Sequence, residues 1–158
     1  MIETLILLAT DGFWSALAAM GFALLFNVPR RSLIYCMIGG AIGHALRTGL
    51  MVQFGIGIEL ATLVGATAVG FWAKWCAEHL EMPSMIFAIS AVIPMVPGVF
   101  AYQTMIGILQ ITTVSPDEAS TVLIDSSITA IKTGLILAAL AGGIVAPSLI
   151  FQRRQPVV

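Results

Sequence analysis

This sequence is short of charge. Lys, Arg, Asp and Glu together make up 9% of its 158 residues, whereas a soluble domain uses about a quarter of its residues in this way. That shortage excludes an ordinary water-soluble domain. The formal net charge of -1 reflects loops and a few isolated groups, so it gives no reason to expect nucleic acid as a partner. Cysteine is scarce too. Cys36 and Cys76 come with no CxxC and no His-Cys cluster, and two small core residues are the simpler reading than a metal or redox centre. The chain also lacks a phosphate-cradling glycine loop with Lys, an HExxH, a GxSxG and a second mid-span histidine. No metal, no cofactor and no enzymatic activity are therefore expected. The start, MIETLILLATDG, has no basic segment and carries Glu3 and Asp11, so it reads as a retained span rather than a cleaved signal peptide.

What the sequence does have is apolar length. Hydrophobic residues make up 59% of it and its mean hydropathy is +1.02. Hydropathy and turn signals predict an all-α integral membrane bundle, residues 1–158 forming one transmembrane domain. Its five spans are Leu5–Phe26, Leu33–Val52, Ile58–Trp75, Met85–Leu109 and Ile128–Phe151. The fourth is expected to be broken. Pro94, Pro97 and Gly98 sit in the middle of the apolar run from Pro83 to Gln110, and as one straight helix that run would be about 42 Å long against a hydrocarbon core of roughly 30 Å. Pro97 suits the first position of a new helix, after which the N–H groups of Gly98, Val99 and Phe100 would lack intrahelical partners. Such donors at membrane depth must face protein or a polar cavity.

Basic residues set the expected orientation. With the N-terminus outside, Arg30, Arg31, Lys74, Arg153 and Arg154 fall on the cytoplasmic side, while Glu3, Glu59, Asp117 and Glu118 fall outside. The C-terminus is then cytoplasmic. Trp72 and Trp75 read as interfacial anchors at the cytoplasmic end of the third span.

Four ionisable side chains fall within the spans: Asp11, His44, Arg47 and Lys132. Each is costly in lipid and should face the bundle interior or a wet cavity. Counting about 1.5 Å per residue places Asp11, Arg47 and Gln103 at one depth, with His44 roughly one turn deeper. Asp11 with Arg47 reads either as a structural ion pair or as part of an anion site in which Arg47, Gln103 and the donors after Pro97 take a carboxylate. His44 reads either as a core histidine or as a proton carrier. Asp125, Thr129 and Lys132 share a helix face; they line a cavity, or Lys132 snorkels to the headgroups. Gly39 and Gly43, and separately Gly134, Ala138 and Gly142, have the spacing that admits a close neighbouring helix.

FNVPRR at Phe26–Arg31, GGAIGHALR at Gly39–Arg47 and IPMVPGVFAY at Ile93–Tyr102, in that order, resemble the threonine/serine exporter (ThrE) family, and most closely its short YjjB-type membrane subunit. The resemblance covers essentially the whole chain. It implies secondary export of small carboxylates across the inner (cytoplasmic) membrane: threonine and serine, or succinate-like dicarboxylates in split systems where a short subunit works with a larger membrane subunit of the same family. It carries over Pro94, Pro97, Gly98, His44 and Arg47 as candidate functional positions; Asp125 and Lys132 match nothing in the family pattern. One broken helix in five spans is half of the usual two-repeat plan, so a partner or a second copy of this chain should supply the rest. The alternative is a non-transporting scaffold or assembly subunit, which would need no ionisable groups at mid-depth.

Overall fold

The computed structural model describes residues 2–151, and among them the regular structure is entirely helical. Helix α1 spans Ile2–Leu25, α2 Leu33–Phe54, α3 Ile58–Leu80, α4 Ser84–Val92, α5 Gly98–Ile111 and α6 Pro116–Phe151. Short 3-10 turns at Arg30–Ser32 and Ile93–Met95 lead into α2 and out of α4. Four of these stretches are long and apolar enough to cross a membrane, or five if Ser84–Met95 and Gly98–Ile111 count together. Arg153 and Arg154, used above for orientation, lie outside the described residues.

Local chemistry accounts for the helix ends. Asn27, in the left-handed region at φ 55°, closes α1, and the Val28 N–H reaches back to the Ala23 carbonyl at 2.9 Å. Glu81 at φ 52° does the same for α3, with Met82 bonded to the Ala77 carbonyl at 3.1 Å. Both are the six-to-one closure typical of helix C-termini. The third helix thus runs on past Trp75 to Leu80; the polarity of Cys76–Leu80 does not end the helix. The last helix begins twelve residues before the expected Ile128. Ser115 precedes it, its carbonyl accepting the N–H groups of Glu118 and Ala119, and Pro116 occupies the first helical position, where its missing N–H is not needed.

The chain divides into two compact units, one from the described residues up to Met95 together with those from Ala139 onward, the other Val96–Ala138. The first is held by contacts that only glycine permits. A Cβ on Gly40 would stand 2.6 Å from the Ala19 Cβ, and one on Gly65 would stand 2.7 Å from the Gly43 carbonyl oxygen. One on Gly143 would meet the Ala66 Cβ at 2.5 Å. Backbones at α1–α2, α2–α3 and α3–α6 are therefore almost touching, the packing mode of helices that have no hydrophobic effect to drive them together. At one end of this unit Cys36, Cys76, Phe87, Ala73 and Ala88 form a buried cluster with Trp72 and Tyr35 against it. Trp72 is thus a packing residue rather than a lipid anchor: its Nε1–H donates to the Tyr35 carbonyl at 2.9 Å and ties α3 to α2.

The second unit contains α5 and the first part of α6. Helix α5 buries none of its residues. The two helices meet where Gly107 leaves room for Ser126, and Thr104 and Thr129 join their hydroxyls at 2.9 Å.

Candidate functional site

The close α1–α2 approach is what assembles the polar groups of the first unit. Gly12 faces Ala41 and Ala45, and Gly40 faces the backbone of Ser15. Asp11, beside Gly12, is thereby carried up to His44 and Thr48, which lie one turn apart on the facing side of α2. The His44 Nδ1 and Asp11 Oδ2 are 2.6 Å apart, and the Thr48 hydroxyl donates to the same Oδ2 at 2.5 Å. On the other side of the ring, an Arg47 Nη2 stands 2.6 Å from His44 Nε2, and Nη1 donates to the Met95 carbonyl at 3.1 Å.

This geometry dictates protonation. A guanidinium can only donate, so Nε2 must be the accepting nitrogen and the ring is neutral with its proton on Nδ1, donated to Asp11. The chain of hydrogen bonds therefore runs from Arg47 through a neutral His44 to the Asp11 carboxylate, with Thr48 adding a second donor at its end. The expected Asp11–Arg47 ion pair is corrected accordingly: the imidazole stands between the two. Thr48 was missed by sequence reasoning, although its place one turn after His44 on the same helix face was a readable signal.

The proline break contributes to this cluster through an acceptor rather than the expected donors. Pro97 has no N–H to offer Ile93, the helix stops, and the Met95 carbonyl is left for Arg47. Pro97 itself has φ -80° and ψ 58°, and the Gly98 N–H bonds the Val96 carbonyl at 2.9 Å. That is an inverse γ-turn. The Gly98 donor is thus already engaged, which corrects its expected availability; Val99 and Phe100 occupy the first turn of α5, where helical N–H groups have no intrahelical acceptor. Pro94 lies in the 3-10 turn before the break.

Pro97, Gly98, Val99 and Phe100 belong to the second unit, as do Gln103, Asp125, Thr129 and Lys132. Within it Gln103, Asp125 and Thr129 line one cleft. Lys132 is placed apart, its Nζ 5.8 Å from the centre of the Phe100 ring. Gly39 and Gly43 do admit close neighbours, but from the same chain: Ala91 and Trp72 in one case, Val69 and Met95 in the other.

A family model described as "Threonine/Serine exporter, ThrE" matches residues 11–150. The chain belongs to that family. An uncharacterised protein of Haemophilus influenzae is 38% identical over 148 residues, which is 94% of this chain and 49% of the relative. The chain thus spans about half the length of that curated relative. No solved structure matches it.

As a ThrE family member with several membrane-length apolar helices, the chain is a multi-pass membrane protein. Asp11, His44 and Arg47 lie on α1 and α2, both long and apolar enough to cross a membrane, and ionisable side chains in such helices are costly unless they face a polar interior. The chemistry available is charge recognition and proton exchange. Both hydrogen bonds described for Arg47 run to uncharged acceptors, so its positive charge is held in place without a carboxylate directly against it.

Proposed function

We propose that this chain is one component of a secondary transporter that exports small carboxylates, succinate-like dicarboxylates or threonine and serine, and that Arg47 receives the substrate carboxylate. The observation that carries the reading is the Arg47 guanidinium held between two neutral acceptors, His44 Nε2 and the Met95 carbonyl. A scaffold has no use for an oriented cation at membrane depth, whereas a planar two-pronged donor fits a carboxylate. The Val96–Pro97 interruption is read as a break within a single span, of the kind that gathers polar backbone around substrate in other secondary transporters. The N-terminus is taken to be outside and the C-terminus cytoplasmic, in the inner membrane.

The relative's extra length supports the need for a second component, because it carries as much chain again as is present here. That component is read as a larger membrane subunit of the same family, with a second copy of this chain as the other arrangement that completes a two-repeat plan. The test is efflux of carboxylate from vesicles holding the chain with and without the co-purified subunit. Arg47→Lys should lower efflux at least tenfold at matched expression. Pro97→Ala should lower it too, by letting the helix close and withdrawing the Met95 carbonyl. Near-normal efflux in both variants, or full efflux by the chain alone, would overturn the reading.

A further inference from the structure

The cleft between α5 and the first part of α6 differs chemically from the apolar hollow along α4. Its volume is about 330 Å³, and its lining includes Tyr102, Gln103, Gln110, Asp125, Ser126 and Thr129. A second hollow of about 280 Å³ is walled by Phe26, Val28, Met85, Ile86 and Ile89 with Ser90, and lipid tails or apolar side chains suit it. The first suits neither.

Its polar groups divide into spent and unspent. The Ser126 hydroxyl donates to the Val122 carbonyl at 2.6 Å and that of Thr129 to the Ser126 carbonyl at 2.9 Å. The side chains of Gln103, Gln110 and Asp125 meet no hydrogen-bond partner among the described residues. Among the described residues, Asp125 is the one ionisable carboxylate in the lining, and no Lys, Arg or His lines the cleft with it. Lys132, the nearest cation along the same helix, is turned to the Phe100 ring. A cleft with one carboxylate, two amide oxygens free to accept and no cation repels an anion and attracts a positive group.

We infer that this cleft binds a primary ammonium group, with Asp125 as its counter-ion and the Gln103 and Gln110 side-chain oxygens as its other acceptors. An ammonium has three N–H donors in a compact head, and three acceptors satisfy it. A hard divalent ion needs six or more oxygen ligands, usually with more than one carboxylate. The Tyr102 ring at the wall adds a face that attracts a cation. Gly107 holds the cleft narrow, because a Cβ there would collide with the Ser126 side chain. The volume lies at the small end of ligand pockets and leaves ample room for a molecule the size of an amino alcohol or amino acid. The assignment goes beyond the transport reading: it concerns a separate set of residues, and it distinguishes an ammonium-bearing ligand from a plain dicarboxylate.

Binding is measured without a gradient, so its outcome is independent of whether the chain exports anything. The full chain, purified in detergent with any subunit that accompanies it, is titrated calorimetrically with ethanolamine and, separately, with succinate at equal ionic strength. Ethanolamine should bind saturably and succinate should not compete. Asp125→Asn, which preserves shape on an exposed position, should weaken ethanolamine at least tenfold. Gln103→Ala should weaken it about tenfold, roughly the net worth of one hydrogen bond from a charged donor. Absence of ethanolamine binding to the wild type, equal binding to Asp125→Asn, or displacement by sodium ions at matched concentration would each overturn the assignment.

Discussion

The two compact units differ in how much of their glycine is given to close contact between helices. In the first, Gly40, Gly65 and Gly143 are pressed against neighbouring side chains and backbone so closely that no side chain could be accommodated. In the second, Gly107 alone is pressed in this way, against Ser126, while Gly98 and Gly134 face open space and α5 buries none of its residues. A small residue in a membrane helix is therefore not by itself a sign of contact. The first unit joins three helix pairs through such contacts; the second has one, beside a polar cleft.

The largest effect that would test this contrast is a matched pair of substitutions. Gly143→Leu must displace Ala66 and the Thr67 backbone, and should lower stability by about 3 kcal/mol or more, read as a collapse of the melting temperature in detergent. Gly134→Leu should change the isolated chain by no more than about 0.5 kcal/mol, while lowering recovery of any co-purifying subunit. Equal damage from both would erase the distinction between the units.

A smaller effect concerns the neutral imidazole. Protonating His44 removes the lone pair that accepts from Arg47, so acid should break that hydrogen bond and loosen the guanidinium. Efflux should therefore depend on pH through the range in which His44 titrates. In His44→Gln the amide oxygen can accept from Arg47 while its NH2 donates to Asp11, without titrating. Efflux by this variant should persist with a flattened pH profile; an unchanged profile would assign His44 a structural role only. The smallest effect is at Thr48. Thr48→Val removes one donor from Asp11 and should cost about 1 kcal/mol of stability, seen as a shift of a few degrees in melting, with the pH profile retained.

Much of the fold was legible because long apolar helices declare themselves by hydropathy; Pro94, Pro97 and Gly98 likewise stand where one helix stops and the next begins. The early start of α6 was also in plain view: Ser115-Pro116-Asp117-Glu118 is a helix N-terminus as well as a turn, but hydropathy weighs only apolar length and so begins the helix at Ile128. The polar chain was half legible. Depth counting brought Asp11, His44 and Arg47 to similar levels, yet which of them touch depends on how α1 is rotated against α2. That rotation is set by Gly12 and Gly40 against Ala41, Ala45 and Ser15, contacts between helices that no single-helix period contains. The same limit applies to Gly43, whose spacing announced a neighbour but not that the neighbour would be α3 of its own chain.

The placement of His44 between a carboxylate and a guanidinium also has an electrical consequence. With the ring neutral, Asp11 and Arg47 cancel, and the cluster has no net charge to expose to the bilayer. A proton arriving on His44 makes the cluster a unit positive charge, counted about midway along its helix. A full charge crossing the membrane responds to the potential with about 2.3 kcal/mol per 100 mV, so one that enters half-way responds with a fraction of that. If this histidine takes up a proton during transport, that uptake responds to voltage as well as to pH, and a membrane that is negative inside favours its arrival from the outer face.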